Sequence, residues 1–395
     1  MVFKQRFLFF FYFMTFLLFA VFSYAFLDPN LTFTSIKSYL FFQKELRAFG
    51  LANKHLLTTF FLLFVLLIFI LYLLLFLNLR KRKADLRKIL TWWFLIFIVL
   101  IFAYPAFSHD IFNYIFNAKM VLVYKADPHQ QVALSFKDPM LDFMRNTHTP
   151  APYFYGWTII SLLPSLVSFS QIFISFINFK IFSGLLFFLS FIFLDKILSL
   201  LAVKGKNLRL FLFLFNPLIL VEVLGVGHND FSMMAPALAS FYYLTKYKKE
   251  KKLSSIILFI LLLAFSISTK YASIVLLPLF LIWYFKSDFD LGFWGSILLF
   301  LIPFSRPLDQ LHSWYLIWPL TWIFLSKNIK AVYFFCFLSF FSLLRYFPYI
   351  WYGHWDPPVA WLRFFIYFFI PVLSLFAWLL YSFWVKLRYD RKNLP

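Results

Sequence analysis

The chain has 395 residues, 63% of them hydrophobic and 13% charged, with a mean hydropathy of +0.83. That composition excludes an ordinary soluble domain and points to a bilayer, since about 20 apolar helical residues cross about 30 Å of hydrocarbon. The formal net charge of +21 does not argue for nucleic acid, because the basic residues stand between apolar runs, as in the cytoplasmic loops of membrane proteins.

Apolar runs predict about twelve membrane-spanning helices: 7–27, 56–79, 89–107, 171–201, 209–224, 231–245, 253–267, 272–285, 290–304, 313–326, 330–346 and 364–385. The first run follows Lys4 and Arg6, but its apolar core is longer than that of a signal peptide, so it reads as an uncleaved span. Residues 152–169 are expected to form a surface or re-entrant helix bent near Pro164. A span there would invert every later loop and put the basic segment 246–252 outside. The expected fold is an all-α polytopic membrane protein, a single transmembrane domain over 1–395, with long external loops at 28–55 and 108–170. Basic segments at 80–88, 196–209 and 246–252, with the tail from Lys386, then face the cytoplasm. Both termini are inside. All seven histidines, His55, His109, His129, His148, His228, His312 and His354, fall outside. The single cysteine, Cys336, lies in an apolar run and allows neither an intramolecular disulfide nor a cysteine-based metal site.

Two polar clusters interrupt the apolar pattern on that external side: Ser108-His109-Asp110 and Gly227-His228-Asn229-Asp230. Ionisable residues at a membrane boundary are costly and are functional candidates. Asp110, Asn113, Tyr114 and Asn117 recur at helical spacing and give one polar face on an apolar helix. A simpler reading makes Ser108 or Asp110 the cap of a helix. The second cluster follows Asn216-Pro217 and Glu222. Gly225 and Gly227 permit a tight turn, and Asn229 or Asp230 is placed to cap the next helix. A cap accounts for one polar residue, not three in a row.

Further along, Lys270 sits in Ser268-Thr269-Lys270-Tyr271, where it either snorkels to headgroups or meets a phosphate. Arg306, His312, Trp314 and Tyr315 follow another external turn, with Trp318-Pro319 after them; Trp and Tyr also belong to the usual interface belt. Arg345, His354, Asp356 and Arg363 are expected in a solvated loop. No metal-ligand spacing and no glycine-rich nucleotide loop appears, so no cofactor is expected and a nucleotide-sugar donor is disfavoured. A carboxylate able to take a proton beside cations able to stabilise a departing phosphate suits group transfer from a lipid phosphate.

Taken in order, these motifs resemble the GT-C superfamily of polytopic glycosyltransferases, and within it the bacterial polyprenol-phosphate-mannose-dependent α-mannosyltransferases. The resemblance rests on Asp110 to Tyr114, Asp127-Pro128, Pro152-Tyr153-Phe154-Tyr155-Gly156, Asn216-Pro217 through Glu222 to Gly227-His228-Asn229-Asp230, Lys270-Tyr271, and Trp314-Tyr315 with Trp318-Pro319. It implies an inverting transfer on the external face of the cell membrane from a polyprenyl-phosphate sugar, with a hexose, mannose first, as cargo and a glycan or glycolipid as acceptor. Asp110 becomes the base and Asp230 the second catalytic candidate. His109, Tyr114, Glu222, His228, Asn229, Lys270, Arg306, His312, Trp314 and Tyr315 become the substrate site. Relatives commonly carry Asn-Pro-Tyr where this chain has Asp127-Pro128-His129, and Tyr-Gly-Pro where it has Tyr155-Gly156-Trp157, which leaves the donor sugar open. Two other readings compete: a transporter or flippase, which places charges near the midplane and repeats its halves, and a polymerase or ligase of lipid-linked glycans.

Overall fold

A computed structural model describes residues 5–26, 32–81, 84–168, 171–307, 310–354, 356–374 and 376. Among them every regular element is helical and there is no strand. Five helices are long and apolar enough to cross a membrane by length and composition: Gln5–Phe26, Lys54–Lys81, Ile172–Leu200, Lys206–Val226 and Ile329–Tyr352. Each coincides with a predicted span. Shorter apolar helices at Leu253–Thr269, Tyr271–Phe285, Leu291–Ser305 and Val359–Ser374 fall on four more. Residues 377–385 of the last predicted span, and the tail from Lys386, lie outside the described residues.

The chain begins with α1 (Gln5–Phe22), α2 (Lys37–Ala52), α3 (Lys54–Lys81) and α4 (Leu86–Ile101). α4 stops short of the predicted 107 because Pro105 has no N–H for the Ile101 carbonyl. Next come α5 (Asp110–Leu122), α6 (Tyr155–Leu166), α7 (Ile172–Leu200) and α8 (Lys206–Leu214). α6 has 12 residues with Pro164 inside it. At 1.5 Å per residue it is about 18 Å long, too short to cross a bilayer. A single turn, α9 (Pro217–Ile219), and a π-helical stretch, Leu220–Val226, lead into α10 (Phe231–Glu250). Then follow α11 (Leu253–Thr269), α12 (Leu276–Phe285), α13 (Leu291–Leu301), α14 (Ile317–Ile323), α15 (Ile329–Leu344), α16 (Phe347–Tyr352) and α17 (Val359–Phe364). The stretch predicted as a span at 313–326 is broken into a 3-10 turn, Ser313–Leu316, and the short, wholly buried α14.

Every side chain from Arg209 to Phe241 is buried, so α8, the π stretch and most of α10 form the axis of the molecule. Helices around it are apolar on both faces. On α3, Leu57, Phe61, Val65, Ile68, Leu75 and Leu79 point inward, whereas Leu63 and Leu73 remain more than half exposed. An apolar outer face is what lipid requires. Asn216-Pro217 breaks the axis, because Pro217 has no N–H to donate. Asn216 Oδ1 instead accepts from the Leu218 and Ile219 N–H groups at 3.0 and 3.4 Å. The carbonyls this leaves over are met from outside: Tyr12 donates to Phe215 O at 2.6 Å and Tyr72 to Leu212 O at 2.7 Å. Unmet backbone groups in such a setting are expensive, and two buried tyrosines meet them.

One end of the bundle is stitched together by polar and basic residues near the helix ends. Lys249 donates to Leu200 O at 2.8 Å, Asn207 to Ala84 O at 3.0 Å, and Arg209 to Phe324 O and Ser326 O, both at 2.7 Å. Both polar clusters lie at the other end: α10 starts beside Asp230 and finishes at Glu250, so its 20 residues separate the ends by about 30 Å.

Candidate active site

Asp110 is the first residue of α5, following a turn through Pro105, and Ser108 Oγ accepts from its N–H at 3.3 Å. Neither His109, at the cap position, nor Asp110 makes a side-chain cap bond. The Asp110 carboxylate is instead open to a cavity of about 420 Å³. Tyr153 donates to its Oδ2 at 3.4 Å, and His228 Nδ1 stands 3.9 Å from the same oxygen. Burial, with Asp110 close by, pushes the Tyr153 hydroxyl well above its ordinary range, so it stays a donor at physiological pH. Tyr114, on the next turn of α5, meets the Tyr153 hydroxyl at 3.2 Å.

The second cluster is shaped by its backbone. The π stretch ends at Gly227, whose φ of 94° is left-handed, a conformation glycine adopts without strain. A Cβ there would stand 2.7 Å from Ile111 Cδ1, so this turn packs against the first turn of α5. The Gly227 and His228 N–H groups both donate to Glu222 O. Lys180, fully buried in α7, donates to Leu224 O at 2.7 Å and to Gly225 O. A cation placed on the closing carbonyls of a helical stretch is favourable, and it pins the turn that presents His228, Asn229 and Asp230.

Those three residues are buried. Asp230 does not cap α10 with its side chain. Its Oδ1 accepts from Lys270 Nζ at 2.8 Å and from the Trp318 indole at 2.6 Å. The Lys270 ammonium also faces the rings of Tyr153 and Trp318, at 5.3 and 5.9 Å. His228 lies between Asp110 and Glu222: its Nε2 is 3.4 Å from Glu222 Oε2, whose other oxygen accepts from Tyr346 at 2.8 Å. Both His228 and His312 stack on Trp314, with centroids 4.0 and 4.2 Å away. Burial, reinforced by the positive charges of Arg345 and Arg363, holds the His312 imidazole well below its ordinary value and therefore neutral. The Asn229 side-chain amide has no hydrogen-bond partner among the described residues.

His109, Asp110, Lys270, Arg306, His312, Trp314 and Tyr315 line the cavity; Tyr114, Glu222, His228, Asn229 and Asp230 stand behind its wall. His109 is braced from behind by Tyr104 at 3.0 Å. Four residues were not singled out as a site in the sequence. Tyr153 lies in a motif that carried the family resemblance. Lys180 shows only as a lone lysine inside an apolar run, which is itself a signal. Arg345 and Arg363 correct an expectation: they are 0% and 4% exposed rather than solvated, whereas His354 and Asp356 are exposed as expected. The Asp127-Pro128-His129 motif lies away from the cavity and ties its loop to α6. Asp127 accepts from the Tyr155 hydroxyl at 2.7 Å, and His129 pairs with Thr158 at 2.8 Å. No group of three or more His, Cys, Asp or Glu side chains that could hold a metal occurs among the described residues.

Comparison with known families is decisive here. Residues 28–286 match the model of the MptA_B family, described as the alpha-(1->6)-mannopyranosyltransferase N-terminal domain. The chain belongs to this family. It is therefore a glycosyltransferase, and its apolar helices fit a membrane enzyme. The mannosyltransferase match spans both polar clusters and Lys270 and stops short of Arg306, His312, Trp314 and Tyr315. No curated protein and no solved structure matches the chain.

Proposed function

We propose that the chain moves a mannosyl group from a polyprenyl-phosphate donor to a hydroxyl of a glycan or glycolipid acceptor, with inversion, at the external membrane face. The observation that carries the mechanism is the state of Asp110. It is the carboxylate on the cavity wall, and no lysine or arginine among the described residues lies within ion-pair distance of it. A general base must be within reach of the proton it takes and not already neutralised. In the step, the acceptor oxygen forms a bond to the anomeric carbon as the bond from that carbon to the phosphate oxygen breaks. The acceptor proton passes to Asp110 and the electron pair leaves with the lipid phosphate. Lys270, Arg306 and His312 line the same cavity as donors for that phosphate. Asp230 holds Lys270 in place and is the second choice for the base.

Topology follows the same logic. About twelve spans, with both termini inside, put the basic stitched end in the cytoplasm and the cavity outside, where lipid-linked sugar is presented. Membership of a transferase family disfavours the transporter reading.

The test is transfer of radiolabelled mannose from polyprenyl-phosphate-mannose by the purified full-length protein. Wild type is expected to transfer, and Asp110→Asn to lose about 10²–10⁴-fold in rate while inserting normally. Wild-type inactivity with every polyprenyl-phosphate hexose rejects the donor class; an unaffected variant moves the base to Asp230.

A further inference from the structure

Lys270 is held by Asp230, but a cation without a hydrogen-bond partner among the described residues lies behind the cavity wall. Arg345, directly after α15, is 0% exposed, and Nε, Nη1 and Nη2 all lack a hydrogen-bond partner among the described residues. Among the described residues its one cation–π contact is with the ring of Tyr367, 5.7 Å away. No carboxylate among the described residues is within ion-pair distance of it, and its charged neighbour is a second arginine, Arg363, which repels it. Arg363 is 4% exposed and reaches the cavity wall, where Arg306 and His312 also stand. An isolated buried charge is among the costliest things a fold can carry, and two like charges side by side make it worse. Folds keep such an arrangement where a ligand supplies the missing charge.

The geometry points to an anion site in which Arg345, packed behind Arg363, holds a phosphate ester on the Arg306–His312 side of the cavity. Guanidinium groups suit phosphate because their planar fork offers parallel N–H donors. This inference rests on the proposed transfer reaction and refines it: the lipid phosphate belongs to the arginines, and Lys270 positions Asp230 and the aromatic wall. His312, kept neutral, adds a hydrogen-bond donor there without adding charge. The site takes the diester of the donor before transfer and the monoester that leaves after it.

The experiment uses the full-length protein in detergent with Arg345→Met, Arg345→Lys and Arg363→Gln. Thermal unfolding is followed alone and with added polyprenyl phosphate, the matching polyprenol, or inorganic phosphate. Without ligand, Arg345→Met is expected to be at least as heat-stable as wild type, because an unpaired buried cation has been removed. Polyprenyl phosphate is expected to raise the melting temperature of wild type, to do so less for Arg345→Lys, and not at all for Arg345→Met. Polyprenol shifts none of them. In the transfer assay the donor KM rises about 10- to 100-fold for Arg345→Met, the usual loss for hydrogen bonds to a charged group.

An equal phosphate-dependent shift in wild type and Arg345→Met overturns the site. So does a ligand-free Arg345→Met that melts far below wild type, since that makes Arg345 structural; Arg363→Gln then reads the phosphate effect, and an unchanged shift there overturns the site as well. A shift from inorganic phosphate as large as from the lipid keeps the anion site and assigns it to free phosphate. A protein that binds polyprenyl phosphate through Arg345 yet transfers no mannose breaks the proposed function and leaves the site standing. Transfer with an unchanged donor KM in Arg345→Met does the reverse.

Discussion

Asp110 and Asp230 stand at the starts of two helices, α5 and α10, and end in opposite states. Asp230 is fully buried, with one oxygen taken by the Lys270 ammonium and the Trp318 indole at 2.8 and 2.6 Å. The Asp110 side chain is 21% exposed, and its contacts are the looser ones, 3.4 Å to Tyr153 and 3.9 Å to His228. The same residue type is thus a fixed counter-ion in one segment and, in the other, a carboxylate with no lysine or arginine partner among the described residues, the state that the proposed base requires. What separates them is a cation contributed from 40 positions away, not anything in the residues beside them.

The sharpest way to break this comparison is to remove each carboxylate and read stability alongside rate. Asp110→Asn is expected to lose the rate described above with little change in melting temperature, since it deletes no close bond. Asp230→Asn strands the Lys270 ammonium, which is 11% exposed. Breaking a buried pair in this way costs about 3–5 kcal/mol. Adding Lys270→Met to that variant is expected to restore much of the stability, because no unpaired charge remains. Unfolding curves for the two single variants and the double decide the matter. If Asp230→Asn unfolds like wild type, Asp230 is not a counter-ion and the contrast collapses.

Much of this contrast was legible in the sequence, but only at the level of segments. The lengths of apolar runs, and the points where Ser108-His109-Asp110 and Gly227-His228-Asn229-Asp230 interrupt them, are local features, and the helices and the cavity fall where they indicate. Roles were not legible, because they depend on partners far along the chain. Lys180 reads as an oddity in a span until Leu224 O and Gly225 O are placed beside it. Arg345 reads as loop, because Pro348 and Gly353 follow it closely and nothing local says that it is buried beside Tyr367 and Arg363. The stretch at 313–326 is apolar enough to look like a span, but its length is divided between a 3-10 turn and α14, and burial by protein rather than lipid explains its character.

A smaller perturbation tests whether the two segments are mechanically joined. Gly227→Ala forces an alanine into a left-handed φ of 94°, about 1–2 kcal/mol on its own. It also pushes a Cβ to 2.7 Å from Ile111 Cδ1, next to Asp110. The expected result is a modest fall in melting temperature with a larger fall in kcat, because the strain is passed to Asp110, the proposed base. A fall in stability with kcat unchanged means that the turn supports the Asp230 segment alone.

The smallest expected effect concerns pH and belongs to the aromatic wall between the two aspartates. His312 is held neutral by burial and by the arginines around it, so its folded value lies below that of the unfolded chain, about 6.5. Below that pH the unfolded state takes up a proton that the native state refuses, so stability present above about pH 6.5 is lost as pH falls. The limiting slope for one such group is about 1.4 kcal/mol per pH unit; His312 is partly exposed on the cavity wall, so a shallower one is expected. His312→Phe keeps a ring against Trp314 and removes the titration. Melting temperature measured from pH 7 to pH 5 should therefore decline less for the variant than for wild type. Parallel curves would mean that His312 accepts a proton in the folded protein, which would place a counter-charge near the arginines and remove the reason for keeping the wall neutral.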